Sequence, residues 1–566
     1  MTALLGSLTL IASGLPIGVA WVGKAIIDAV VDQNTGDVLR FVGVELGLVV
    51  TLALAQRAIG LLWQLLGARL SIDINVMILE KARELSLTHF EDPTFYDQLT
   101  RARREASSRP LSVVTGTFGL IQSTLTLLGY LGLLLDFSVL AAVGLLLAAV
   151  PAAIMEMRFS NQAFRLRNWR APESRRLNYY EYVLANDKHA KEIMLFGLGH
   201  WFLDRYRGLA ESMFSEDRAL ALRRTGWAFL LSLLATGAFY GFYGWIAWQA
   251  AERLLTVGQL TLSVVALRQG QASFQTILTS VGGMYENNLY MSNLFAYLRI
   301  PTTKAPPLQS SETTEERGIR FDGVGFQYPG TDRWALREVN LFVPAGQSLA
   351  LVGHNGAGKT TFIKLLTRLY EPTEGRILLD GKDLRSWGTE ELRKRIGVIF
   401  QDFNQYQLSV RENVGFGSVD AIADTPRVER SLERGGADAV VAQLPEKMET
   451  SLGRWFQQGT ELSGGQWQKL ALSRAFMREE ADILVLDEPT AALDAEAEHA
   501  VFERFRELSA GRTTILISHR FPTVRMADRI IVIDGGRVVE EGTHTGLLEQ
   551  QGRYAGLFAL QAQGYL

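Results

Sequence analysis

The 566-residue chain has no cysteine, so disulfides, thiolate-bound metals, iron–sulfur clusters and cysteine-peptidase chemistry are excluded. It also has no basic excess. Its 57 Lys and Arg are matched by 60 Asp and Glu, which leaves no electrostatic footprint for nucleic acid. No internal repeat is found. The opening stretch MTALLGSLTLIASGLPIGVAWVGKAIIDAV lacks the basic n-region of a signal peptide and runs past its length, so it reads as a retained membrane helix.

What is present divides the chain. Residues 1–299 carry long apolar runs, whereas residues from about 318 onward mix charged and apolar positions like a soluble α/β domain. Between them IPTTKAPPLQSSETTEERG (300–318) is rich in Pro, Ser, Thr and Glu, lacks periodicity and reads as a linker. A bilayer core of about 30 Å needs roughly 20 apolar residues per helix. Six runs fit: about 4–23, 41–66, 111–134, 137–157, 226–250 and 259–281, the last interrupted by Arg268, Gln269, Gln271 and Gln275. Lys and Arg concentrate in 67–110 and 158–224, which places both segments, both termini and the C-terminal domain in the cytoplasm. ARLSIDINVMILEKARELSL and YYEYVLANDKHAKEIMLFGL are amphipathic and favour helix, so the membrane helices are expected to run on into the cytoplasm. They turn near 92–99 and 196–206, and both turns are candidate docking elements for the soluble half.

Three motifs carry chemistry. SLALVG (348–353) is a buried strand and KTTFIKLLTRLY (359–370) an amphipathic helix. Between them Gly353, Gly356 and Gly358 let the backbone wrap phosphate, with Lys359 for the terminal phosphates and Thr360 for magnesium. His354, Asn355, Ala357 and Thr361 complete that candidate ATP-binding loop. ADILVLDEPTAALD (481–494) is an apolar strand ending in two acids: Asp487 to hold magnesium and Glu488 to polarise the attacking water. LSGGQ (462–466) opens a helix whose free amides suit a second anion. One phosphate loop already serves one side of the nucleotide, so Ser463, Gly464, Gly465 and Gln466 are assigned to a nucleotide held by another subunit.

In this order and spacing the residues resemble the ATP-binding cassette (ABC) transporters, in particular the exporter-type half-transporters. The resemblance implies a six-helix membrane domain (1–299) with long cytoplasmic helix extensions, then an α/β P-loop ATPase domain (319–555) and a tail (556–566). It implies that Tyr328 stacks on adenine, that Gln401 contacts magnesium, that His519 contacts the γ-phosphate and that Asp494 links two active sites across a dimer. The cofactors implied are ATP and Mg2+. The partner is a second half-transporter, with a homodimer favoured because every ATPase motif is intact and a heterodimer left open. A bacterial inner membrane is favoured by the half-transporter layout. Two features depart from the pattern: the chain starts almost inside its first span, without an amphipathic elbow helix, and SLGRWFQQGTE (451–461) resembles the branch of bacterial peptide and lantibiotic exporters rather than multidrug members.

The expected cargo is a peptide or amphipathic compound moved outward. Arg268, Gln271, Gln275 and Thr279 share a helical face that should line its path, since polar side chains at lipid are costly. The aromatics Phe239, Tyr240, Phe242, Tyr243, Trp245 and Trp248 fit an interfacial belt at the outer end of the fifth span. An exporter-shaped importer and an ATP-gated channel or regulatory subunit are the alternatives.

Overall fold

The computed structural model describes residues 1–92, 109–135, 169–302, 316–488, 511–518 and 520–563, with scattered positions between 95 and 102 and between 139 and 166. It divides into two compact units, Met1–Leu85 with Asp92–Pro301, and Ser86–Glu91 with Thr302–Leu566.

The first unit is helical. Its helices include Thr2–Val31, Thr35–Glu84, Arg109–Leu135, Ala171–Ala185, Asp187–Leu195, Gly199–Ala251 and Val257–Leu298. Among the described residues, four are long and apolar enough to cross a membrane: Thr2–Val31, Thr35–Glu84, Arg109–Leu135 and Gly199–Ala251. The expected span 137–157 lies largely outside the described residues, and Val257–Leu298, which carries the sixth, is the polar-interrupted one. The helix Thr35–Glu84 continues 18 residues beyond the apolar run that ends at 66, about 27 Å at 1.5 Å per residue. The extension has no proline, and the helix runs through Gly67 without a break until Leu85 turns to extended backbone.

Caps fix the short turns. Asn34 accepts from the Asp37 amide, and Thr256 and Gln259 form a reciprocal capping box. One apolar cluster joins Tyr130, Leu134, Ile246, Ala266 and Leu267. Another gathers Ile74, Ile78, Leu294 and Tyr297, whose hydroxyl donates to the Ile78 carbonyl at 3.1 Å. Arg170 is buried but fully engaged: its guanidinium donates to Glu216 (2.9 and 2.7 Å) and Asp217 (2.8 Å), tying it to the helix Gly199–Ala251.

The second unit contains two sheets among its described residues. Strands β1 (Gly318–Gln327), β2 (Trp334–Pro344), β4 (Glu374–Leu379) and β5 (Lys382–Asp383) form an antiparallel sheet in the order β2-β1-β4-β5. Strands β3 (Ser348–Val352), β6 (Ile396–Ile399), β7 (Ile483–Asp487), β8 (Thr513–Ile517), β9 (Arg529–Asp534) and β10 (Arg537–Gly542) form the other, in the order β10-β9-β3-β8-β7-β6. All its pairings are parallel except that of the edge strand β10. Strands β7 and β8 are buried along their whole length, as expected for a parallel sheet covered on both faces. The helix Lys359–Leu366 packs on the antiparallel sheet, where Phe362 stacks on Phe321 with ring centres 4.1 Å apart. A separate helical cluster around Val410, Val428, Leu432, Trp467 and Leu470 seats the helix Gly464–Phe476.

Candidate functional site

Parallel strands present their carboxyl ends on one edge, and loops leaving adjacent strands therefore converge. This explains how motifs far apart in sequence meet. β3 ends at Val352 and feeds the loop 353–358, β7 ends at Asp487, and β6 ends at Ile399, two residues before Gln401. β8, between β3 and β7, ends at Ile517, two residues before His519, which lies outside the described residues, as does Asp494.

The result is a cavity of about 510 Å³ lined by Tyr328, Asn355, Gly356, Gly358, Lys359, Thr360, Thr361, Gln401, Asp487 and Glu488. Gly353, His354 and Ala357 belong to the same loop. Two of its glycines are required by space: a Cβ on Gly353 would sit 2.2 Å from the Ile533 carbonyl oxygen, and one on Gly358, at φ +112°, 2.6 Å from that of Ala335. Thr331, Arg333, Trp334 and Ala335 also line the cavity and were not anticipated. They follow Tyr328 in YPGTDRWA, where a cation and an indole beside the motif are the signal that could have found them.

Lys359 is buried, and its ammonium donates to the carbonyls of Gly353 (2.7 Å) and His354 (3.0 Å). Burial lowers its pKa against the opposing pull of Glu488 and Asp487. Asp487, 2% exposed, is pushed up to about 6 by burial and then by the Glu488 charge, although Thr360 donates to it. Its Oδ2 has no hydrogen-bond partner among the described residues. A buried carboxylate oxygen of this kind, next to the Thr360 hydroxyl, is an oxygen donor set suited to a hard dication. Glu488 sits at φ +49°, a left-handed conformation costly for a side chain of this size, held by its amide donating to the Ile517 carbonyl at 2.9 Å. Gln401 Nε2 donates to Glu488 Oε2 at 2.7 Å, so these two candidates touch.

Ser463, Gly464, Gly465 and Gln466 are not among the residues lining this cavity. They begin the helix Gly464–Phe476 with a capping box: Ser463 Oγ accepts from the Gln466 amide at 3.3 Å, and Gln466 Oε1 from the Ser463 amide at 2.9 Å. In the helical unit Arg268, Gln275 and Thr279 are exposed on the helix Val257–Leu298 and Gln271 is half-buried. Thr279 donates back to the Gln275 carbonyl at 3.1 Å. The aromatic group on Gly199–Ala251 is split: Phe239, Phe242 and Trp245 pack on the Tyr130 cluster, while Tyr240, Tyr243 and Trp248 are exposed. A single belt thus describes only its outward half.

With this geometry in place, residues 336–491 match the family described as ABC transporter. The chain is 33% identical over 478 residues to the subtilin transport ATP-binding protein SpaT of Bacillus subtilis, covering 84% of this chain and 77% of that one. The chain belongs to the ABC transporter family. This ABC transporter is also 30% identical over 563 residues to an ATP-dependent lipid A-core flippase of Ralstonia nicotianae, covering 98% and 93% of the two chains. Its fold matches the structure of a bacterial Atm1-family ABC exporter with ATP bound, at a TM-score of 0.83 and 24% identity, over 98% of this chain and 97% of the other. It is an integral membrane protein of exporter type that binds nucleotide and couples ATP hydrolysis to export.

Proposed function

We propose that this ABC transporter works as a dimer in a bacterial inner membrane, with its ATPase domains in the cytoplasm, and exports a peptide or a similarly amphipathic compound. The observation that carries its chemistry is the single cavity in which Lys359, Thr360, Gln401, Asp487 and Glu488 meet. Tyr328 stacks on the adenine, and the amides of Gly353 to Thr361 with the Lys359 ammonium cradle the phosphates. Thr360, Asp487 and Gln401 hold Mg2+, which would neutralise charge on the β- and γ-phosphates. Glu488 accepts a proton from the attacking water and is oriented by Gln401. His519 contacts the γ-phosphate. Ser463, Gly464, Gly465 and Gln466 close on the nucleotide of a second copy, and Asp494 joins the two sites. This division is supported by the absence of Ser463, Gly464, Gly465 and Gln466 from the residues that line this chain's own cavity. Closure and release of the two ATPase domains then alternate the access of the membrane helices, through docking segments near 92–99 and 196–206.

The peptide cargo is supported by the likeness to SpaT and to the nisin transport ATP-binding protein of Lactococcus lactis, 29% identical over 496 residues. An amphipathic lipid is the second reading, supported by the flippase that covers 98% of this chain. Arg268, Gln271, Gln275 and Thr279 line the path for either.

The test is ATPase activity of the chain alone in lipid nanodiscs. Glu488→Gln is expected to lower the rate by about 10²- to 10⁴-fold. Hydrophobic peptides are expected to stimulate the wild type more than lipid A does, and Arg268→Ala to blunt that stimulation while leaving the basal rate. Stimulation by lipid A alone would replace the peptide reading; an inert wild type would replace the homodimer with a heterodimer.

A further inference from the structure

Six residues far from the ATPase sequence belong to the ATPase unit: Ser86–Glu91, which follow directly on the helix Thr35–Glu84 and its cap Leu85. Leu87, in the single turn Leu87–Phe90, packs on the main ATPase core. Glu91 closes the segment with both carboxylate oxygens engaged. Oε1 accepts from Lys364 Nζ at 3.0 Å, and Oε2 accepts from the Tyr370 hydroxyl.

Both partners lead to the nucleotide cavity. The Lys364 ammonium lies 5.4 Å from the ring centre of Tyr328 and 5.5 Å from that of Tyr370, over both faces. Tyr328 and Tyr370 meet edge to face at 5.4 Å, and Phe326 completes the group at 5.0 Å from Tyr328 and 5.2 Å from Tyr370. Tyr328 is further tied by its hydroxyl to Thr361 Oγ1 at 3.0 Å, and its ring lines the cavity. Burial would raise the Glu91 pKa, but the hydrogen bonds from Tyr370 and Lys364 outweigh it and hold the carboxyl below its usual range. Burial and the Glu91 charge together push the Tyr370 hydroxyl up, so it stays a donor. Without Glu91 a half-buried ammonium would lose its carboxylate and keep only its interactions with the two tyrosines, and Tyr370 would lose its acceptor, which favours repacking of the rings.

We infer that Glu91, acting through Lys364 and Tyr370, positions the Tyr328 ring, so that the docked segment Ser86–Glu91 tunes affinity for the nucleotide base. Glu91 is a positioning residue, not a catalytic one. The inference rests on the proposed stacking of Tyr328 on adenine. Its consequence is specific: the segment acts on the base and leaves the phosphates alone, because the loop 353–361 holds those without help from Tyr370 or Lys364.

The experiment uses the full chain in nanodiscs with Glu488→Gln to prevent turnover. Dissociation constants are measured for ATP and, by competition, for inorganic tripolyphosphate, which has no base. Glu91→Ala is expected to weaken ATP about three- to tenfold and to leave tripolyphosphate within about twofold; Lys364→Met is expected to do the same. Glu91→Gln keeps an acceptor for Tyr370 but loses the charge, and should shift ATP less. Equal weakening of both ligands, or no weakening of ATP by either Glu91→Ala or Lys364→Met, overturns the inference. Tyr328→Ala separates the two levels. If it weakens ATP selectively and the Glu91 variants do not, only the positioning role fails; if it leaves ATP unchanged, the stacking itself fails.

Discussion

Strand β7 and the helix Thr35–Glu84 are both apolar, yet they treat their side chains in opposite ways. Every residue of Ile483–Asp487 is buried, whereas Leu39, Leu46, Leu54 and Leu61 on the helix are exposed. The difference is the solvent each unit is built for. In water the apolar groups must be hidden by protein, so polar groups are pushed to the strand ends, where they become the nucleotide site. In a bilayer the lipid covers the apolar groups, backbone polar groups are satisfied inside each helix, and little apolar surface need be buried against protein. Apolar content therefore does not by itself tell where the protein is fragile.

Substitution on the two sides of this contrast should break it unequally. The largest effect is expected from Phe362→Ala, since Phe362 is fully buried and stacked on Phe321 between the helix Lys359–Leu366 and the antiparallel sheet. Emptying that site costs about 3–5 kcal/mol. Hydrogen exchange of β1 and of Lys359–Leu366 should then accelerate roughly a hundredfold or more, with helix Thr35–Glu84 unaffected. A change confined to tenfold or less would mean that the two layers collapse onto the gap.

The next effect has the opposite sign. Asp487 is shifted from 3.8 to about 6 by burial and by Glu488, so its folded pKa lies above its unfolded one. A carboxylate shifted this way destabilises the fold above the folded pKa, and the penalty disappears as pH falls toward the unfolded value. In the nucleotide-free chain at pH 7.5, Asp487→Asn should stabilise the ATPase unit by about 1–3 kcal/mol, while hydrolysis is lost. Slower exchange of β7 and β8 amides is the readout, and the gain should vanish between pH 6 and 4. No gain at pH 7.5 would show that Asp487 is better solvated than its burial indicates.

The sequence exposed the parts of the site that are local and hid those that are not. Gly353 to Thr361 and Asp487–Glu488 are each a strand running into its own loop, so a short window contains both the element and the chemistry. Gln401 was placed only by resemblance, because its contact with Glu488 joins strands β6 and β7 across 87 residues. Glu91 was invisible for the same reason on a larger scale: its partners Lys364 and Tyr370 are 273 and 279 residues away, and in HFEDPTF it is one of two adjacent acids with nothing local to distinguish it. The expected docking turn at 92–99 is partly outside the described residues, and the segment that joins the ATPase unit is the one before it, Ser86–Glu91. The ends of the membrane spans were blurred because the helix Thr35–Glu84 runs straight through Gly67, where the apolar run stops.

The smallest effect sharpens the comparison from the membrane side. Leu54 is 66% exposed on the helix Thr35–Glu84, which is long and apolar enough to cross a membrane, so lipid is the expected covering of its side chain. Leu54→Ala removes contacts with acyl chains that close around the smaller side chain, and no cavity is left inside the protein. The expected change in exchange protection of that helix in nanodiscs is below about 0.5 kcal/mol, compared with several for Phe362→Ala. In detergent-free buffer the same face is a large exposed apolar patch, and the wild type should aggregate as readily as the variant. A loss above about 2 kcal/mol in nanodiscs would show that Leu54 is covered by protein, and the natural candidate for that protein is the second copy in the proposed dimer.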